Sequence, residues 1–191
     1  MFSLPPVTQT LILLNVAAYL LDMLLPGSFT GLLALWPFGT YFMPWQIVTY
    51  AFLHGSVQHL LFNMFGIYMF GADLERVWGA RRYLVFYTVS VIAAAAAQLL
   101  VAMLTGGQYP TVGASGGVFG LLLGFAMVFP RRMVVPLIPP IPMRAPIFAA
   151  VYGGLELLLG VTGAQSGVAH FAHLGGMAGG YLVLRYWRWK R

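Results

Sequence analysis

The chain has no cysteine, which rules out disulfides and thiolate metal sites. Charge is almost as scarce. Charged residues make up 7% of the sequence, where a soluble domain carries about a quarter. Apolar residues are 60% of the 191 positions, more than one soluble core can hide from water. A water-soluble globule is therefore excluded, and lipid must cover the remainder. The alternation of polar and apolar residues that marks membrane-barrel strands is also missing. That leaves helices, the other structure that satisfies its own backbone in lipid. No basic residues precede the first apolar run and no small-residue cleavage site follows it, so a removable signal peptide is not expected.

Six apolar stretches are present, each bounded by proline, glycine or charge. They cover approximately 7–25, 57–75, 83–104, 115–129, 147–161 and 168–187. The expected fold is all-α, a polytopic membrane protein of six transmembrane helices forming a single domain over 1–191. The net charge of +6 is explained by where the basic residues fall. Arg76, Arg81 and Arg82 lie between the second and third spans, Arg131, Arg132 and Arg144 between the fourth and fifth. Arg185, Arg188, Lys190 and Arg191 end the sixth. All ten sit on one side, which the positive-inside rule makes cytoplasmic, together with both termini. The positive charge is thus a topology signal, and nucleic acid is not an expected partner.

Two connections stand out. The segment 26–45 is long and carries Trp36, Tyr41 and Trp45, aromatics suited to the membrane–water interface. It reads as an interfacial hairpin bracing the bundle. The segment 160–167 is rich in glycine and small polar residues and has the composition of a lid.

Polar groups inside a membrane are expensive and carry a functional hypothesis by default. His54, His59, Asn63, Ser115, His170 and His173 lie toward the outer ends of their spans. Depth follows from counting back to the inner arginines at about 1.5 Å per residue. Asn63 stands about 20 Å above Arg76, Ser115 about 24 Å above Arg131 and His173 about 18 Å above Arg185. In a hydrocarbon slab about 30 Å thick, all three lie at a common level below the outer surface. Gly116, Gly120 and Gly124 recur at fourfold spacing on the fourth span, and Gly176 and Gly180 on the sixth. Such stripes let helix backbones approach closely. Pairing them brings Ser115 beside His173.

A serine hydroxyl needs a base to take its proton, and histidine is the usual one. No acid is expected as a third member. Asp73 and Glu75 belong to the inner end, Asp22 to the outer end of the first span, and Glu156 to the middle of the fifth. The constellation reads as a Ser–His dyad. Ser115 opens a helix whose first amides favour an oxyanion. His59 and Asn63, four residues apart, share a helix face and can add donors. Phe119, one turn below Ser115, is positioned to pack on the His173 ring. The GASGG segment around Ser115 also fits the G-x-S-x-G elbow of soluble hydrolases, but that elbow needs a sheet around it.

These residues resemble the rhomboid intramembrane serine proteases, most closely the bacterial six-helix type. HGSVQHLLFN, with His54, His59 and Asn63, looks like the family's second-helix motif. GASG, from Gly113 to Gly116 and containing Ser115, looks like its nucleophile motif, and AHLGGMAGG from Ala172 to Gly180 like its AHxxGxxxG motif. The resemblance runs from about Trp45 to the end. It implies Ser115 as nucleophile and His173 as base. His59, Asn63 and the Ser115 amide become oxyanion donors, with Gly113, Phe119 and His54 in support. It further implies hydrolysis of peptide bonds in or near transmembrane segments of single-span or polytopic membrane proteins, without cofactor or metal. Substrates are expected to enter sideways between the second and fifth helices. The expected setting is the plasma (inner) membrane, with the site opening to the extracytoplasmic side. The match selects His173 over His170, because only His173 has the glycine three residues on. Many relatives carry Trp-Arg where this chain reads Trp45-Gln46, so the loop arginine's contacts do not transfer.

Three other readings remain open on the residues alone. A non-catalytic relative that binds membrane proteins would ordinarily have lost the serine or the histidine. A metalloenzyme would use His54, His59, His170 and His173, although the H-E-x-x-H motif is absent. A transporter finds its support in Glu156.

Overall fold

The structure, a computed structural model, describes residues 3–25, 28–136, 139–164 and 167–189. Helix α1 (Pro6–Leu24) opens on a proline whose fixed φ suits a first turn. A short α2 (Ser28–Leu33) and α3 (Gln46–Thr49), the latter running into a 3₁₀ turn at Tyr50–Phe52, lie in the first connection. Then come α4 (Val57–Gly66), α5 (Ala72–Trp78), α6 (Ala80–Thr105) and α7 (Ser115–Val128). A two-stranded antiparallel hairpin, β1 (Met133–Val134) with β2 (Met143–Arg144), leads into α8 (Ala145–Thr162) and α9 (His170–Trp189).

Long helical stretches lie where the apolar runs predict them, with three differences. The stretch expected over 57–75 is not uniform, because a π-helical turn, Ile67–Gly71, joins α4 to α5. Glycines near both ends of that turn let it pass close to Val118 and Tyr83. The third helix begins at Ala80, directly after Gly79 at φ 77°, and the sixth at His170. The hairpin between α7 and α8 has no counterpart in the apolar pattern. Of the expected lid, Gln165 and Ser166 lie outside the described residues, as do Pro26 and Gly27 of the first connection and Lys190 and Arg191 of the basic end.

Helices α6, α7 and α9 form the centre. Gly176 packs so tightly on Gly116 that a Cβ there would overlap the Gly116 carbonyl. One turn further, Gly120 faces the Gly176 carbonyl and Ser90, and Gly180 faces Phe86 and the Gly120 carbonyl. Gly124 departs from the expected stripe, since it packs on Phe86 and Trp78 instead of α9. Gly175 and Gly179 turn the other way, onto Ala93 and Ala97 of α6. The small residues therefore serve two interfaces, and α9 is clamped between α6 and α7.

Helices α1 and α8 lie at the fringe. Each is long and apolar enough to cross a bilayer, as is α6, yet only 17% of the best window of α1 and of α8 is buried. Leucines such as Leu24, Leu104 and Leu158 point outward, an exterior that suits lipid and not water. Helix α7 is different: at 14 residues it spans about 21 Å, short of a hydrocarbon layer of about 30 Å. Glu75 fixes α1 to the bundle, its carboxylate accepting the Val7 amide at 2.9 Å, and the Thr8 amide and hydroxyl at 2.7 Å each. An anionic cap of this kind satisfies helix N-terminal donors and their dipole together.

The first connection braces the bundle, as its composition suggests. Leu35 and Thr111 exchange both backbone bonds, 3.0 and 2.9 Å, which straps it to the segment entering α7. Gln46 is fully buried. Its carboxamide oxygen accepts the Trp36 and Met43 amides, and its nitrogen donates to the Leu32 and Tyr41 carbonyls. That saturates the side chain, so Gln46 ties the loop together from within.

Candidate active site

Ser115, the first residue of α7, lines a cavity of about 670 Å³ between α4, α7 and α8. Ser115 Oγ lies 2.7 Å from Nε2 of His173. The geometry has three supports. The Gly116–Gly176 contact sets the spacing of the two helices. The Phe119 ring lies parallel to the His173 imidazole, centroids 4.5 Å and planes 4° apart. The entering loop is held by the Gly113 amide, which donates to the Tyr50 carbonyl at 2.9 Å, while the Tyr50 hydroxyl donates to Val91 at 2.8 Å.

His59 and Asn63 line the same cavity from α4. Gly113 has φ 125°, and a Cβ there would come 2.7 Å from the His59 Cε1 and Nε2 and 3.7 Å from Ser115 Oγ. Only glycine both takes that backbone conformation and leaves room for the imidazole. The Nε2 edge of His59 and the Ser115 hydroxyl thus both border that position. Asn63 is buried, one of its amide hydrogens going to the His59 carbonyl at 3.1 Å; a second remains to donate. The Ser56 hydroxyl caps α4 by accepting the His59 amide at 3.1 Å.

His54 does not line the cavity. It stands behind His59, ring edge to ring face at 5.0 Å between centroids. Burial, with His59 close by, brings the His54 pKa down to about 4. A neutral ring is therefore what packs on His59.

The structure adds one contact that the sequence does not lead one to expect. Glu156, read as lying away from any triad position, has its Oε2 2.8 Å from Nδ1 of His173 and 2.6 Å from Nδ1 of His170. The contact with His170 is an aligned hydrogen bond. That with His173 is at ion-pair distance without full alignment. The middle of α8 is the reason. Glu156 stands 12 residues beyond Arg144, about 18 Å above it, at the level already assigned to His173. His170, one turn before His173, lies on the far side of the carboxylate from Ser115.

Glu156, His170 and His173 present ligand atoms within 4.8 Å of one another. The carboxylate's contacts of 2.6 and 2.8 Å are hydrogen-bonding distances. Two ligands on a tetrahedral zinc ion stand about 3.3 Å apart. The spacing fits a carboxylate bonded to imidazoles better than a set opened around an ion.

Residues 41–190 match the Rhomboid domain. The chain belongs to the rhomboid family. It is 28% identical to rhomboid protease GlpG of Yersinia pestis over 188 residues, covering 95% of this chain and 62% of that protein. It is 30% identical to the putative rhomboid protease YdcA of Bacillus subtilis over 141 residues (73% of this chain, 65% of the relative). Rhomboid protease GluP of the same organism is 28% identical over 141 residues, again 73% of this chain but 25% of the relative. The chain thus spans between a quarter and about two-thirds of the length of these curated relatives. Family and apolar helices together make it a multi-pass, all-α membrane protein.

Proposed function

We propose that this rhomboid is an intramembrane serine endopeptidase that hydrolyses peptide bonds in or near the transmembrane segments of other membrane proteins. The observation that carries the reading is the 2.7 Å contact between Ser115 Oγ and His173 Nε2, in a cavity opening between α4 and α8 and lined mainly by apolar side chains. As His173 Nε2 takes the hydroxyl proton, Oγ attacks the scissile carbonyl carbon. The oxyanion accepts hydrogen bonds from the Ser115 amide, His59 and Asn63. Collapse expels the amine, which leaves with the proton from His173. Water, deprotonated by the same imidazole, then attacks the acyl carbon and frees Ser115. This chemistry calls for no cofactor and no metal.

The helical stretches α1, α4 with α5, α6, α7, α8 and α9 serve as six membrane spans. The basic residues between and after them put both termini in the cytoplasm of a cell whose plasma (inner) membrane holds the chain. The site then opens to the extracytoplasmic side. A substrate helix entering between α4 and α8 meets Phe62 and Phe65 on one wall and Phe148 and Tyr152 on the other.

The test is cleavage of a model single-span substrate by purified protein in liposomes, comparing wild type with Ser115→Ala and His173→Ala. Wild type is expected to cut within or beside the span, and both folded variants to lose at least about 10³-fold in rate. Cleavage by Ser115→Ala at the wild-type rate would sink the serine mechanism. A chelator that abolished activity would instead favour metal chemistry at the histidines.

A further inference from the structure

We propose that Glu156 is a positioning residue for His173, so that this rhomboid works with a Ser115–His173–Glu156 relay in which His170 shares the carboxylate. The inference rests on the protease reading and extends it to a third helix. Four atoms on three helices lie in sequence: Ser115 Oγ on α7, the two ring nitrogens of His173 on α9, and Glu156 Oε2 on α8. The links are 2.7 and 2.8 Å. The two contacts use opposite nitrogens of one imidazole, as a base and its orienting acid require.

The carboxylate does three things for the ring. Standing 2.8 Å from Nδ1, it favours the tautomer with the proton there, which leaves Nε2 bare and facing the serine; a ring in the other tautomer presents an N–H to Oγ and cannot act as base. It also carries the charge that balances the imidazolium formed when Oγ attacks. Finally, it fixes the ring's rotation about its long axis, while Phe119 fixes the ring plane. The proton itself stays on His173 throughout, and Glu156 takes none.

His170 explains how a carboxylate is kept there. Glu156 is otherwise surrounded on α8 by leucines, among them Leu155, Leu157 and Leu158, which face outward. A carboxylate in that setting needs partners. His170 Nδ1 donates to the same oxygen at 2.6 Å and is itself buried, so Oε2 is held on the His173 side of α8. One carboxylate oxygen has two lone pairs and can serve both rings. A small rotation of the Glu156 side chain brings the His173 contact into line as positive charge develops.

A helix latch is the competing account of the same contacts. In that account Glu156 only ties α8 to α9 and alters how a transmembrane substrate enters. A small serine-reactive fluorophosphonate separates the two, because it reaches Ser115 without parting the helices. The experiment compares second-order labelling rates of wild type, Glu156→Gln, Glu156→Ala and His170→Ala, with Ser115→Ala as blank. Substrate kcat and KM and a thermal melt are read on each. The Gln variant keeps shape and an acceptor oxygen and removes only the charge. Labelling and kcat are expected to fall together by between about 10- and 10³-fold in Glu156→Ala. The fall should be smaller in Glu156→Gln and smaller again in His170→Ala, with KM within twofold throughout.

A second readout needs no variant. The ¹⁵N spectrum of histidine-labelled wild type is expected to show the His173 proton on Nδ1. Labelling of Glu156→Gln and Glu156→Ala within twofold of wild type, with the loss confined to KM, would overturn the relay and leave the protease intact. So would a His173 proton on Nε2. Wild type labelling no faster than Ser115→Ala would remove the serine mechanism itself, and the relay with it.

Discussion

The ring of Phe119 lies flat against the imidazole of His173, 4.5 Å between centroids and 4° between planes. Both groups sit one turn into their helices, and the rings are closer to parallel than those of Phe148 and Tyr152 at the same cavity, which stack at 22°. Phe119→Leu keeps the bulk and removes the flat face. An aromatic pair is worth about 0.5–1.5 kcal/mol beyond its area, a factor of about 2 to 12 in rate. The expected result is a kcat lower by that factor with KM unchanged. A rise in KM alone would make Phe119 a wall of the substrate cavity and no more.

His59 and Asn63 reach the cavity from one face of α4, and the His59 Nε2 edge and Ser115 Oγ both border the open side of Gly113. Donors that meet charge only as it develops act on kcat, not on ground-state binding. His59→Ala and Asn63→Ala are each expected to lower kcat by about 10²–10³-fold and to move KM little. The double variant should lose less than the product, since both serve the same oxygen. Steady-state cleavage of one model substrate measures all three. Losses confined to KM would remove both residues from the oxyanion site.

Much of the candidate site was legible because residues expected at one level do line one cavity, Asn63, Ser115 and His173 among them. Counting residues from the inner arginines put Asn63, Ser115 and His173 at a common level, and the glycine stripes said which helices touch. The same count applied to Glu156 from Arg144 gives about 18 Å, matching His173. Its depth was therefore within reach. What no count supplies is rotation about the helix axis, and α8 has apolar residues on most of its circumference, so its buried face is not marked. The strap from Leu35 to Thr111 and the Gln46 bonds were hidden for another reason, being backbone and carboxamide contacts between segments far apart in sequence. The π turn at Ile67–Gly71 leaves no mark in hydrophobic periodicity either.

Glu75 carries three hydrogen bonds from Val7 and Thr8 at the inner end of the bundle. Glu75→Ala strands two amides and a hydroxyl, of which the Thr8 pair is buried. Each unsatisfied buried group costs about 1–3 kcal/mol. Fraying of α1 lets water recover part of that, so a net loss of about 2–4 kcal/mol is expected. A denaturant titration in detergent micelles reads it. Cleavage well below the melting temperature should stay within a few-fold of wild type, because the cap is at the opposite end of the bundle from Ser115. An unchanged titration midpoint would show that α1 is held by its apolar contacts alone.

The Ser115–His173 distance depends on how closely α7 and α9 approach, and Gly176 against the Gly116 carbonyl is the tightest point between them. A methyl group there meets backbone, which cannot swing aside as a long side chain does. Gly176→Ala therefore forces the helices apart just below the site. A misplacement of about 1 Å between reacting groups is worth about 10²-fold in rate, and that is the expected fall in kcat, accompanied by a lower melting temperature. Gly154→Ala supplies the control, since a Cβ at Gly154 meets nothing within 4 Å and should change neither quantity. If Gly176→Ala lost stability but kept its kcat, helix spacing would not be what sets the catalytic contact. The burden would then fall on the Phe119 stack and the Glu156 carboxylate.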